Sequence, residues 1–300
     1  MIMNSLRDVL NKFQPDTELD PGKRLFRFVE DVGDSGREIP YMKPGDFYRA
    51  SGLGHVCIRE EVLASKYETI RVQVIHPRLQ ITFDIGHVLH NLYRDQYYGP
   101  MGLWAGAWEC IHCGWNTDDS GDSSPPVLGK TSGRLARMPL ECVGCGAPFA
   151  LSDKSESTYG HFREWVIRDP ENYIQGHADG WILGGYRQLV DLKSQSSASF
   201  PTRRKADPKH VIQVLAYERM CQDTDGAVWY MNKSPWGDPS AFVRGFSVPY
   251  DYKQFERNIA KPMRELQNGL SGGPLPERLC PNMDCSRAKE CQMHDVCWES

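Results

Sequence analysis

Three groups of residues in this 300-residue chain have the types and spacing to do chemistry. The first is Gly176-His177-Ala178-Asp179-Gly180 followed by Val190-Asp191-Leu192-Lys193-Ser194. On a strand, residues i and i+2 share a face, so Asp191 and Lys193 project together. Asp179 faces them if the two segments pair as a hairpin. Two carboxylates at one place repel unless a cation lies between them. A neighbouring ammonium can then stabilise charge on a phosphate or lower the pKa of an attacking water. A solvated salt bridge on a hairpin would use the same residues.

The second group is Cys110-Ile111-His112-Cys113 and Cys142-Val143-Gly144-Cys145, two Cys-x2-Cys pairs that read as a zinc ribbon with tetrahedral thiolate ligation. The third is a cysteine-rich tail, Cys280, Cys285, Cys291 and Cys297, with Cys57 far upstream. Of ten cysteines, eight fall in these two clusters, and nothing in the sequence directs secretion, so free thiols or metal ligands are expected rather than disulfides. Cys221, on an expected helix, reads as a buried thiol.

The elements that must position these groups follow from periodicity. Helices are expected over residues 2–13, 58–68, 77–98, 208–222 and 251–268. On the 77–98 segment Leu79, Phe83, Gly86, His90 and Tyr93 or Arg94 share a face. Strands are expected at Leu25–Val29, 162–167, Tyr173–Leu183, Tyr186–Lys193, 227–232 and 242–248, with Gly184-Gly185 as a two-residue hairpin turn. Ser120–Arg137 has loop chemistry. Interleaved helices and strands with an antiparallel hairpin predict a mixed central sheet flanked by helices.

This ordering resembles the RecB-type branch of the PD-(D/E)xK nucleases, and within it the CRISPR-associated exonucleases that carry an iron–sulfur cluster. The resemblance rests on four motifs in order, Gly86-x3-His90, Gly176-x2-Asp179, Asp191-x-Lys193 and Gln213-x3-Tyr217, and spans about residues 47–300. It implies an α/β, restriction-endonuclease-like fold. It also implies that His90, Asp179, Asp191 and the Leu192 carbonyl bind Mg2+ or Mn2+, with Lys193 the catalytic lysine. Gln213 and Tyr217 would contact DNA or brace the site. Glu164 stands where the family often has an acidic residue. His87 is expected to pack or to support His90, and His177 to point away.

The same resemblance implies a [4Fe–4S] cluster held by one cysteine before the nuclease core and three after it. Cys57, Cys280, Cys285 and Cys291 fit, with Cys297 a substitute; four tail cysteines without Cys57, zinc, or free thiols remain alternatives. Joining Cys57 to the tail closes a loop of more than 200 residues, worth roughly 5 kcal/mol in chain-entropy terms. The expected organisation is an N-terminal extension (1–45), a nuclease domain (46–300) clasped by Cys57 and residues 278–300, and a zinc-ribbon insertion (108–148).

Composition bounds the rest. With 35 Lys+Arg against 39 Asp+Glu, a formal charge of −4 excludes coating nucleic acid by bulk charge but allows a local basic channel. Pro201-Thr202-Arg203-Arg204-Lys205, with Lys209 and His210, is the candidate run. Apolar content of 40% excludes wholesale disorder, and no stretch reaches the ~20 apolar residues of a membrane span. Without a signal-peptide run, the chain is expected in the cytoplasm of a bacterial or phage-infected cell. The function expected is metal-dependent exonuclease action on single-stranded DNA or DNA ends in replication, recombination or repair. A structure-specific endonuclease and a non-catalytic zinc-ribbon adaptor are the rivals; no protein partner is indicated.

Overall fold

The computed structural model describes residues 36–73, 75–117, 136–149, 159–184, 187–234 and 241–299, together with Val29. The helix expected over 2–13 and, Val29 apart, the strand expected at Leu25–Val29 lie outside these residues, as does most of the 120–137 loop. The chain divides into two compact units. In the smaller, residues 1–38 and 72–84, the Gly36 amide donates to the Gln73 carbonyl and the Gln73 amide to that of Arg37.

The larger unit is a mixed α/β structure. Its principal elements are α1 (Ile58–Lys66), α2 (Pro77–Asn91, whose last seven residues belong here), β1 (Trp104–Cys110), β2 (Gly160–Arg163), β3 (Trp165–Asp169), β4 (Ile174–Ala178), β5 (Gly180–Leu183), β6 (Arg187–Gln195), α3 (Pro208–Cys221), β7 (Asp225–Asn232) and β8 (Val243–Pro249). A π-helical turn, Leu92–Tyr98, continues α2. The central sheet runs β8–β7–β6–β5–β1, with Ala136–Arg137 and β2 both paired to β1. Only β6 and β7 among these neighbours are parallel, joined through α3 as a parallel pair requires.

Strand β6 lies at the heart of the unit. Residues Gln188–Leu192 are all buried, the signature of a strand covered on both faces, and Asp191 is the one charge among them. Leu189 packs with Val214, Leu215 and Tyr217 of α3; Val190 and Leu192 pack on the other side with Trp104, Trp108 and Phe162. Helix α3 begins where Asp207 accepts a hydrogen bond from the Lys209 amide, with Pro208 at its first position, and ends at Gln222 in a left-handed conformation. The helix expected over 251–268 is a continuous run of Tyr252–Phe255, a π-helical Glu256–Ala260, and Lys261–Leu270.

Residues 162–167, expected as one strand, fall across β2 and β3, which break at Glu164 and join different sheets. Tyr173–Leu183 is two strands, not one. β4 joins a second sheet with β3 and Tyr48–Arg49, whereas β5 pairs antiparallel with β6, Gly180 opposite Val190. The break falls at Asp179–Gly180, where Gly180 has φ +145° and the Trp104 indole occupies the space a side chain would need. β1 had no predicted counterpart: its Ala-Gly-Ala centre carries little strand signal, yet Gly106 is what lets the Phe162 ring lie against it.

Candidate functional site

The break between β4 and β5 is what carries Asp179 into position. Its carboxylate turns onto β6, where Oδ2 accepts a 2.7 Å hydrogen bond from the Leu192 amide. Its Oδ1 faces His90 Nδ1 at 3.6 Å. Asp191, only 1% exposed, lies on β6 with Lys193 beside it, and the amine stands 2.9 Å from both carboxylate oxygens. His90, from the last turn of α2, thus lies beside Asp179, and Asp179 is held to the strand that carries Asp191 and Lys193.

The glycines of two motifs have a steric reason. A Cβ on Gly86 would stand 3.0 Å from Ser194 Oγ, so the glycine lets α2 approach β6 and deliver His90 one turn later. A Cβ on Gly176 would stand 2.5 Å from the Tyr217 ring, which seats α3 on β4. Gln213 donates to the Tyr217 hydroxyl at 2.8 Å, and both side chains are buried.

The electrostatics are those of a site built for positive charge. Burial disfavours ionised Asp179, but the His90 imidazole, Lys193 and Arg94 outweigh it and hold the carboxyl well below the usual carboxylate range. Asp191 goes the other way: burial, with the charge of Asp179, pushes it up to about 6 despite Lys193. Burial also works against the Lys193 charge, yet Asp191 and Asp179 raise its pKa, so the amine stays protonated. Asp191 Oδ2, although in ion-pair contact, accepts no aligned hydrogen bond. Two buried carboxylates, one with an orphaned oxygen, and an imidazole within reach form an oxygen-rich donor set that suits Mg2+ or Mn2+.

Sequence reasoning missed Arg94. Its guanidinium donates to Glu164 at 2.8 Å and to Asn91 Oδ1 at 2.7 Å, lies 3.8 Å from Asp179 Oδ1, and covers the Phe162 ring. The signal was present: Gly86, His90 and Arg94 recur every four residues. Glu164 also faces His177 at 3.6 Å, so this histidine flanks the cluster from its exposed side. His87 is exposed rather than packed. In the basic run Arg203 is engaged, donating to Gln195 Oε1 at 2.6 Å and stacking over Tyr230, while Arg204 and Lys205 are exposed.

The paired Cys-x2-Cys segments build two like knuckles. In each, the amide of the following glycine donates to the carbonyl of the first cysteine at 2.8 Å, Gly114 to Cys110 and Gly146 to Cys142. Both glycines have φ near +75° (76° and 73°). The four sulfurs lie within 4.8 Å of one another, with Cys110–Cys145 at 3.8 Å and Cys113–Cys142 at 3.5 Å. Thiolates on one tetrahedral zinc stand about 3.8 Å apart, so the group could hold such an ion. Among the described residues it is the one set of three or more His, Cys, Asp or Glu donors gathered this closely; His90, Asp179 and Asp191 are spread more widely.

The tail folds back onto the start of α1. Cys57, Cys280, Cys291 and Cys297 line a small cavity, and Arg59 donates to Cys297 Sγ at 3.3 Å and to the Pro276 carbonyl at 2.8 Å. Arg287 reaches the His55 carbonyl at 2.7 Å. Cys285 caps the helix Ser286–Glu290 through the Ala288 amide and touches Cys280. Burial pushes the Cys291 thiol up to about 11. Cys221 is buried, as expected.

No protein-family profile matches the sequence, and no curated protein matches it. Among solved structures, the chain is similar to an alkaline exonuclease from Laribacter hongkongensis, at 10% identity and TM-score 0.43 over 77% of this chain and 92% of that one. It is similar to the same exonuclease in complex with dAMP at 10% and 0.41, over 76% and 91%. A phage-related exonuclease from Haemophilus somnus matches at 12% and 0.29, over 36% and 58%. No helix among the described residues is long and apolar enough to cross a membrane.

Proposed function

We propose that this chain is a divalent-metal-dependent nuclease of the PD-(D/E)xK type, an exonuclease hydrolysing the phosphodiesters of single-stranded DNA or DNA ends. The observation that carries the reading is the convergence of Asp179, Asp191, Lys193 and His90 from three elements, with Asp191 only 1% exposed. A carboxylate in that position is costly without further positive charge, and a catalytic metal supplies a reason for it.

Asp179, Asp191, His90 and the Leu192 carbonyl would hold Mg2+ or Mn2+, which supplies activation of a water and neutralisation of phosphate charge. Lys193, held protonated by the two aspartates, would place a fixed positive charge beside the scissile phosphate. The Leu192 amide fixes the Asp179 carboxylate, and Gln213 with Tyr217 braces the β4–β5 junction through Gly176. Arg204 and Lys205, exposed beyond the end of β6, are the cations of the basic run open to a nucleic-acid backbone, with Arg203 stiffening their loop.

The remaining cysteines are read as structural. Cys110, Cys113, Cys142 and Cys145 would bind zinc in an insertion spanning 108–148. Cys57 and three of the four tail cysteines would hold a [4Fe–4S] cluster that clasps the ends of the 46–300 nuclease domain. Nucleic-acid processing in replication, recombination or repair in a bacterial or phage-infected cell is the setting this activity fits. Incubating end-labelled linear and circular single-stranded DNA with Mg2+ or Mn2+ tests the reading. Degradation of linear DNA alone supports it, cleavage of both indicates an endonuclease on the same core, and cleavage of neither leaves the adaptor role.

A further inference from the structure

Arg94 is 3% exposed and sits in the π-helical turn that follows His90. Its guanidinium is wedged between two carboxylates, 2.8 Å from Glu164 and 3.8 Å from Asp179. Asn91 Oδ1 and the Phe162 ring fix its plane, and its Nε makes no hydrogen bond. Burying a guanidinium with one N–H unsatisfied is expensive. A side chain serving only to fill the core would be replaced without loss by an apolar group.

We infer that Arg94 is a positioning residue for the metal site: it pins Glu164 against Asp179, so that the carboxylates are set before a divalent ion arrives. The inference rests on the proposed nuclease reading and extends it to a residue outside the four motifs. Glu164 makes the dependence concrete. Its side chain is 36% exposed, and its other ion-pair contact, His177 at 3.6 Å, is itself 57% exposed. Without Arg94 little would keep Glu164 turned inward. A positioning role and a purely electrostatic one make opposite forecasts. Loss of a preset ligand arrangement weakens cation binding, whereas removal of a nearby positive charge strengthens it.

The experiment compares the unsubstituted chain with R94K, R94Q, E164Q and the double variant R94Q/E164Q. It uses Mn2+ titration followed by calorimetry or electron paramagnetic resonance, and initial rates on labelled DNA. The expected result is Mn2+ binding weakened at least ~10-fold in both R94K and R94Q, because a lysine cannot span the two carboxylates. Turnover should fall ~10²-fold with the KM for DNA within about threefold, the usual cost of a misplaced group. The double variant should be no worse than R94Q, since both changes remove one contact. Unchanged Mn2+ binding in folded variants, tighter binding in R94Q with R94K unaltered, or additive losses in the double variant would each overturn the inference. R94K and E164Q keep the comparison decisive if R94Q fails to fold. Absence of Mn2+ binding by the unsubstituted chain would take down the nuclease reading with it; binding with unaltered midpoints takes down the role of Arg94 alone.

Discussion

The amine of Lys193 stands 2.9 Å from each carboxylate oxygen of Asp191, two residues back on the same central strand. Strand geometry alone puts the two side chains on one face. What turns adjacency into a site is the break at Gly180, which brings Asp179 across to the Leu192 amide, and the glycine at position 86, which lets His90 approach.

Gly176 makes the packing part of this account testable. A Cβ there would stand 2.5 Å from the buried Tyr217 ring, which has nowhere to retreat. Gly176→Ala is expected to destabilise by about 1–3 kcal/mol, as overpacking does. Urea denaturation of the two proteins checks it; equal midpoints would show that Tyr217 does not seat on β4 as described.

The ribbon predicts one zinc per chain. At Cys142 burial opposes ionisation, but the Cys145 and Gly144 amides and the Cys113 thiol bring the thiol down to about 7. Cys142→Ser should lose the metal and lower the unfolding temperature by about 5 °C or more, at roughly 2–4 °C per kcal/mol. Elemental analysis and thermal melts decide it, and a stable, metal-free unsubstituted protein would contradict the assignment.

Cys57 and three tail cysteines, Cys280, Cys291 and Cys297, line one cavity, while Cys285 caps a helix. Anaerobically purified C57S, C280S, C291S and C297S should therefore lose iron and the blue-violet absorbance, and C285S should keep both. Loss in C285S with retention in C297S would instead favour Cys57, Cys280, Cys285 and Cys291, the set that the resemblance implies.

Glu218 gives a pH dependence. The residue is fully buried, neither carboxylate oxygen makes a hydrogen bond of good geometry, and burial pushes its pKa up to about 8 despite the Gly226 amide. Because the folded value lies above the unfolded one of 4.5, its neutral form favours folding fully below that value. The benefit is lost as pH rises through 8, a change of up to a few kcal/mol. E218Q, which cannot ionise, should gain stability relative to the unsubstituted chain steadily from pH 5 to 8. Parallel stability curves over that range would contradict the buried, neutral assignment.

Much of the site was legible because it is written in short-range periodicity: i, i+2 on β6, four-residue steps from Gly86 to His90 and from Gln213 to Tyr217, and the repeated Cys-x2-Cys. The rest depends on contacts distant in sequence. The division of residues 173–183 into strands of two sheets is set by Trp104, about 75 residues upstream of Gly180. β1 lacks the β-branched residues that announce a strand and is held by the Phe162 ring packing on Gly106. Arg94 showed its helical spacing but not its partners, since Glu164 lies 70 residues away.

The most direct test of the central claim sets the purified protein beside D191A and K193A on labelled single-stranded DNA, with Mg2+ or Mn2+ and with chelator. The account predicts cleavage by the unsubstituted protein that chelator abolishes and that either substitution lowers by at least ~10²–10³-fold, the cost of losing one preorganised charged group. Equal cleavage by all three proteins, or cleavage that persists in chelator, would contradict it.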